Sequence, residues 1–256
     1  MTGTDLQTRL QVAKQASFIS GDELRRHFEG DWHDAQHAAG VAAADQASRE
    51  AIHTFLSQIF PHEEIWGKGT SETPQGKSFW VFDSLNGAEN FSAGEERFST
   101  TVAWVENGEP IVGVVSVPSK RALYSATKGG GAFYQDQSLH VRENKRLEDA
   151  ILLVGLGYGE ARDKGVETVV ALKDRVRQLK VREAPALDIC SVASGTADGY
   201  VQYDLKPWDW IAARLILEEA GGKLADINGN LMKLGTKAAL AGNTALFDEL
   251  RNVLPQ

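Results

Sequence analysis

The feature that most constrains this chain is a pair of apolar segments joined by a tight turn. Residues 98–105 and 111–117 are rich in valine and other strand-forming residues, and Asn107-Gly108 lies between them. Both residues of an Asn-Gly pair tolerate the positive φ angles that a two-residue hairpin turn requires. The sequence therefore predicts an antiparallel sheet. Further strands are predicted at residues 78–85, 122–127 and 131–134.

The spacing of apolar residues changes near residue 145. Before this point, three- and four-residue spacing at residues 5–18 and 45–59 predicts two amphipathic helices. After it, strands are predicted at residues 151–156, 199–203, 222–227 and 238–240, and helices at 166–179, 188–197, 208–220 and 243–254. We expect an α/β protein with an α+β N-terminal half, residues 1–145, and an α/β C-terminal half, residues 146–256.

Charge and composition exclude several classes of protein. The 256 residues include 27 Lys and Arg against 35 Asp and Glu, and the net charge of −8 disfavours nucleic acid and anionic membranes as partners. The single cysteine, Cys190, excludes an intramolecular disulfide and a multi-cysteine metal site. No segment approaches the roughly 18 to 20 apolar residues of a membrane-spanning helix, and the first residues are polar. We therefore expect a cytoplasmic protein.

Two acidic residues are the first candidates for chemistry. Asp83 follows an apolar strand, and Asp209 lies in the first turn of a helix that Pro207 introduces. Taken alone, Asp209 is typical of a residue that caps a helix or complements its dipole. Its pairing with Asp83 favours a functional site instead.

The sequences around both residues resemble two motifs of the inositol monophosphatase family, within the lithium-sensitive, magnesium-dependent sugar phosphatases. The first motif is here Trp80-Val-Phe-Asp-Ser-Leu-Asn-Gly-Ala-Glu-Asn-Phe91, and the second runs from Trp208-Asp209 to Glu219-Ala-Gly-Gly222. The resemblance spans about residues 40–250. It implies a layered α-β-α-β-α sandwich, a site between the two halves, and a homodimer.

The resemblance also implies how the metal site would differ from that of the family. Family members bind magnesium through a Glu of a Gly-Glu-Glu segment, two Asp of the first motif, a carbonyl between them and the Asp of the second motif. Here Asp83 and Asp209 remain, and Leu85 could supply the carbonyl. Asn86 replaces the second Asp, and Lys68 aligns with the Glu. Because magnesium prefers charged oxygen ligands, we expect no metal cofactor, with Mg²⁺ at the two remaining Asp only if phosphatase activity persists.

The candidate ligand-binding residues follow from the same alignment. Ala88 replaces the Thr that orients the attacking water in the family, and Glu183 and Gln202 occupy positions that contact the polyol. The N–H groups after Gly87, at a helix start, are expected to bind an anion, with Asn86 beside them.

The candidate catalytic residues are Lys68, Asp83 and Asp209. The ammonium of Lys68 would compensate the two carboxylates or donate a proton, or it would form only an internal salt bridge. We predict that it contacts Asp83 or Asp209. His33 and His37 lie in a loop that borders the catalytic centre in the family, and they are candidates for acid–base work unless the loop is merely solvated.

Three functions are compatible with these residues. The leading one is a divergent family member without magnesium-dependent phosphomonoesterase activity, which binds or transforms a small polar or anionic metabolite in its cleft. One alternative is a weak magnesium-dependent phosphatase of a small sugar or inositol phosphate, completed by a nearby carboxylate such as Glu64, Glu72 or Glu89. Another is a noncatalytic regulatory protein that binds a protein partner.

Overall fold

Two β-sheets and the helices that cover them make up the computed structural model, which describes residues 3–29, 37–70 and 72–255. The helices are α1 (Gly3–Phe28), α2 (His37–Ile59), α3 (Ala88–Ser92), α4 (Glu160–Leu172), α5 (Pro185–Ala193), α6 (Pro207–Glu219) and α7 (Phe247–Val253). The first sheet contains β1 (Glu64–Gly67), β2 (Ser78–Asn86), β3 (Ser99–Glu106), β4 (Glu109–Val117), β5 (Ala122–Thr127), β6 (Gly131–Tyr134) and β7 (Gln137–Ser138). The second contains β8 (Ile151–Val154), β9 (Gln178–Lys180), β10 (Gly199–Gln202), β11 (Gly222–Ala225) and β12 (Ala239–Asn243).

The first sheet follows the chain from β1 to β7 and is antiparallel except at its edge, where β1 runs parallel to β2. The predicted hairpin is confirmed, because β3 and β4 pair from Glu106 and Glu109 onward. Asn107 and Gly108 in its turn have φ angles of 51° and 81°. The Asn-Gly pair thus sets the register of the pairs next to the turn, and a bulge after Val105 shifts it by one residue, so that Trp104 pairs with Val112.

The second sheet has the order β11-β12-β10-β8-β9. Its strands β10, β8 and β9 are parallel, whereas β12 is antiparallel to both of its neighbours. The parallel pairs need crossover connections, and α4 and α5 provide them. The C-terminal half therefore has the predicted α/β character.

Apolar side chains arrange the elements in five layers. α1 and α2 cover one face of the first sheet, where Ile52 and Leu56 belong to the same core as Trp80 and Phe82. α5 and α6 lie between the two sheets, in a core that joins residues of both. α4 and α7 cover the outer face of the second sheet. The predicted α-β-α-β-α sandwich is confirmed.

Two predicted helices are longer in the structure. The first, predicted for residues 5–18, continues to Phe28, and the second, predicted from residue 45, begins at His37. Gly21 lies inside α1, packed so closely on Pro118 that an added Cβ would lie 3.3 Å from its Cγ. Tertiary packing thus maintains a helix across a residue of low helix propensity.

The helix predicted at residues 166–179 is wrong in its second half. α4 ends at Leu172, and the residues that follow lead into β9 at the edge of the second sheet. Val176 and Leu179 continue the helical spacing, but pairing with β8 decides the conformation of this segment. β1 was not predicted, because four residues at a sheet edge carry too short a pattern. No helix of the described ranges is long and apolar enough to cross a membrane.

Candidate functional site

A cleft of about 330 Å³ lies at the carboxyl ends of β2 and β10, where α3 and α6 begin. Ligands of α/β proteins commonly bind at this end of the strands. Several residues of the lining were predicted from the sequence: Lys68, Asp83, Asn86, Gly87, Ala88, Glu183, Gln202 and Asp209. The fold therefore brings the two family-like motifs together in one cavity.

The side chains of the two candidate histidines lie outside the described part of the structure. His33, with Asp31 and Asp34, lies outside the described residues, and of His37 only the backbone at the start of α2 is described. A role for His33 and His37 stays a prediction.

A bulge at the end of β2 directs two side chains of the first motif into the cleft. Asp83 pairs with Thr101 and Asn86 with Ser99, so β2 has one more residue than β3 between these pairs. Because side chains alternate along a strand, the extra residue lets both side chains face the same way. The Nδ2 of Asn86 donates to Oδ2 of Asp83 at 3.1 Å.

Asp209 reaches the same point from the start of α6. Its Oδ2 accepts the N–H of Lys206 at 2.7 Å, which is the expected capping interaction. Its Oδ1 accepts a second bond from Nδ2 of Asn86 at 3.0 Å. Asp209 therefore both caps the helix and belongs to the site.

The amide of Asn86 joins the two carboxyl groups. Its Oδ1 accepts the N–H of Ala186 at 3.0 Å, which orients the Nδ2 toward Asp83 and Asp209. Asn86 is only 3% exposed. A carboxylate at this position would have no hydrogen to donate, so the arrangement depends on the amide.

Burial makes ionisation of the pair unfavourable. It raises the pKa of Asp83 against the opposing effect of the Lys68 charge, and it raises the pKa of Asp209 to about 8, with the Asp83 charge adding to the rise. Two buried carboxyl groups that repel each other retain a proton near neutral pH. The pair can therefore donate a hydrogen bond as well as accept one.

Lys68 does not make the predicted ion pair with Asp83 or Asp209. Its Nζ lies 3.1 Å from Oδ2 of Asp45 and 3.4 Å from the Leu85 carbonyl, to which it donates. The ammonium remains close enough to oppose part of the rise that burial causes in the pKa values of Asp83 and Asp209. Lys68 thus has the internal salt bridge that was the alternative interpretation, with a partner from another element.

Asp45 is the ion-pair partner of a cleft residue, Lys68, and the sequence analysis missed it. It lies on α2, where the hydroxyl of Ser84 also donates to it, and its side chain is 16% exposed. The only sequence signal was an acidic residue at the start of a predicted helix, after three alanines. Such a residue is ordinarily solvated, so only the packing of α2 on β2 reveals its partner.

Gly87 connects β2 to α3 with a φ of 85°. An added Cβ would lie 2.8 Å from the carbonyl oxygen of Arg97, so both the angle and the space require glycine. Ala88 follows and brings no hydroxyl into the cleft. This turn therefore presents backbone rather than side-chain groups.

The opposite wall of the cleft carries the two residues aligned with polyol contacts. Oε1 of Glu183 accepts the N–H of Leu156 at 2.8 Å, and Oε1 of Gln202 accepts the hydroxyl of Tyr200 at 2.6 Å. At the rim, Tyr158 donates from its hydroxyl to Oε1 of Glu89 at 2.8 Å. Further lining residues that the sequence analysis did not select are Asp204, Lys206 and Trp208.

Comparison with known proteins agrees with this fold. Residues 5–254 match the model of the inositol monophosphatase family, and the chain belongs to that family. It is 31% identical over 257 residues to a fructose-1,6-bisphosphatase/inositol-1-monophosphatase of Aquifex aeolicus, covering 97% of this chain and 96% of that protein. It is 32% identical over 216 residues to the Nus factor SuhB of Pasteurella multocida, covering 83% and 81%.

Solved structures show the same architecture. The extragenic suppressor protein suhB of Bartonella henselae has a TM-score of 0.88 at 26% identity, covering 97% of this chain and 100% of that one. An inositol monophosphatase of Anabaena has a TM-score of 0.86 at 26% identity, covering 98% of each chain. The family and the fold implied by the sequence resemblance are confirmed.

Proposed function

We propose that this family member binds a small polyol or sugar in its cleft, through the hydroxyl groups of the ligand, and no longer performs magnesium-dependent phosphoester hydrolysis. The observation that carries the proposal is the Asn86 amide, which donates to Asp83 and Asp209 together. It engages the oxygens that a metal ion shared by these two residues would need.

The other groups around Asp83 and Asp209 do not favour magnesium binding either. Mg²⁺ requires near-octahedral oxygen ligands. The Leu85 carbonyl accepts the Lys68 ammonium, and the oxygen of Asn86 accepts a backbone N–H. Across residues 3–29, 37–70 and 72–255, no three His, Cys, Asp or Glu side chains come together as metal ligands. The ligand would therefore bind through groups of the chain itself.

The charges of the cleft support a ligand rich in hydroxyl groups. Acidic side chains outnumber lysines in the lining even though Asp83 and Asp209 share a proton; the lining contains Asp83, Glu89, Glu183, Asp204 and Asp209 against Lys68 and Lys206. Hydroxyl groups donate strong hydrogen bonds to carboxylates, and each carboxylate oxygen has more than one lone pair available. A volume of about 330 Å³ suits a small ring with its substituents.

A magnesium-dependent phosphatase is the second candidate. The names of relatives favour it, because proteins of Aquifex aeolicus and Rhizobium meliloti that are 31% and 32% identical to this chain are described as inositol-1-monophosphatases. The excess of carboxylates in the cleft is also compatible with a cation. The two candidates differ in their need for a divalent ion.

Two measurements on the purified protein distinguish the candidates. In EDTA, we expect a polyol or sugar from a small panel to raise the unfolding temperature, because a ligand of the folded state stabilises it by mass action. The rise should shrink in Glu183→Gln, which removes a cleft carboxylate, and persist in Glu143→Gln, which makes the same change at an exposed position.

The second measurement is phosphate release from inositol 1-phosphate and fructose 1,6-bisphosphate. We expect none that depends on magnesium. Release that requires Mg²⁺ and stops on chelation would contradict the loss of hydrolysis and establish the second candidate. No stabilisation by any polyol or sugar, together with no release, would contradict both candidates and favour the protein-binding function.

A further inference from the structure

A second cavity of about 450 Å³ adjoins the cleft. Tyr158 and Asp204 line both cavities, so they form the boundary between them. The second cavity lies beside α4 and the segment before β12, outside the carboxylate-rich region described above.

The lining of the second cavity contains as many lysines as acidic residues, whereas acidic residues predominate in the cleft. Lys164 from α4 and Lys237 from the segment before β12 line it, against Glu160 and Asp204. Asp204 is already paired with Lys206, at 3.7 Å. Two ammonium groups therefore face one uncompensated carboxylate, in a protein whose net charge is −8.

Both lysines are on backbone that the fold holds in place. The carbonyl of Lys237 accepts the N–H of Leu205 at 2.7 Å, which ties this segment to the end of β10. Lys164 lies one turn inside α4, and its Nζ is 6.0 Å from the centre of the Tyr203 ring. The two charges thus come from different elements that meet at one cavity.

The aromatic boundary is also held from both sides. The hydroxyl of Tyr158 donates to Glu89 at 2.8 Å, and the Arg162 guanidinium carbon lies 5.5 Å from the centre of its ring. Nε of Arg162 donates to the Gly157 carbonyl at 3.1 Å. The ring therefore offers a fixed face to a ligand that spans the two cavities.

We propose that the second cavity is an anion subsite, which holds a phosphate or carboxylate group of a ligand whose hydroxyl-bearing part occupies the cleft. The inference rests on the proposed function for the hydroxyl-bearing part, and on Lys164 and Lys237 for the anionic part. It assigns the ligand to the class of anionic polyols or sugars. It also places the anionic group away from Asp83 and Asp209.

Inorganic phosphate is the direct probe of this subsite. Its dissociation constant is measured by calorimetry in EDTA for the parent protein and for Lys164→Gln/Lys237→Gln. A hydrogen bond to a charged group contributes about tenfold to affinity, so we expect the double variant to bind phosphate at least about tenfold more weakly. Lys173→Gln, at the C-terminal end of α4 and outside both cavities, is the matched control and should bind like the parent.

The outcomes separate this inference from the proposed function. Parent protein that does not bind phosphate, or a double variant that binds it as well as the parent, overturns the anion subsite. Phosphate binding that is lost in Lys68→Met also overturns the anion subsite, because the anion would then lie in the cleft. If phosphate binding depends on Lys164 and Lys237 while no neutral polyol binds, the subsite is supported and the proposed function fails.

Discussion

The substitution Asn86→Asp would replace the amide between two buried carboxyl groups by a third acid. The amide donates at 3.1 Å to Asp83 and at 3.0 Å to Asp209, and Asn86 is 3% exposed. Once the new acid ionises, both hydrogen bonds become contacts between oxygens. Because the Asp83–Asp209 pair retains one proton, one lost bond has a charged acceptor and the other a neutral one, which together correspond to about 2–4.5 kcal/mol of unfolding free energy.

The loss of unfolding free energy in Asn86→Asp should depend on pH. Repulsion and burial would raise the pKa of the new acid in the folded state above its unfolded value of about 3.9, as burial and Asp83 raise the pKa of Asp209 to about 8. An acid whose pKa is raised on folding favours the folded state below its unfolded pKa, and that contribution disappears as pH rises through the folded value. The variant should therefore be closest to the parent in stability at low pH and fall progressively behind it as the pH rises above the unfolded value of about 3.9.

Urea unfolding in EDTA, at several values between about pH 5 and pH 8.5, measures this difference. Asn107→Asp makes the same change in an exposed turn and should shift stability by less than about 0.5 kcal/mol. An Asn86→Asp protein as stable as the parent across this pH range would refute the bridging role of the amide.

Three further predictions concern neighbouring residues. The combined variant Lys68→Glu/Asn86→Asp/Ala88→Thr should bind magnesium in a calorimetric titration in which the parent does not. The three substitutions are combined because the effects of changing residues that act as a unit are not additive. A folded triple variant without this gain would contradict the alignment of the three residues. Gly87→Ala should lower the unfolding free energy by about 1–3 kcal/mol, because the residue has a φ of 85° and the new Cβ would lie 2.8 Å from a carbonyl oxygen. Gly129→Ala, with a φ of 73° and no atom within 4 Å of the added Cβ, should cost less in the same urea experiment, and equal losses would contradict the contribution of the close contact. Lys68→Met should change stability by only about 0–1 kcal/mol despite the 3.1 Å ion pair, because the Lys68 side chain is 35% exposed, and a loss of several kcal/mol would show that the pair is shielded from solvent.

Local chemistry was sufficient for much of the fold. The hairpin of β3 and β4 was predicted because Asn107 and Gly108 favour the turn conformation whatever the rest of the chain does. The helix that begins near Asp209 was predicted because Pro207 and an acidic first turn are start signals that act over a few residues. β9 could not be predicted in this way, because its strand conformation depends on pairing with β8 across the whole of α4.

The sequence by itself determined which residues of the two motifs enter the site, because their chemistry and their positions relative to strand and helix ends are local properties. Only the tertiary structure decided how those residues interact. Asn86 reaches Asp209 across 123 residues of chain, and Lys68 finds its ion partner on α2. The adjoining lysine-lined cavity has the same origin, since Lys164 and Lys237 belong to different elements. Such contacts depend on the relative placement of distant segments, which the packing of the layers fixes and no local pattern encodes.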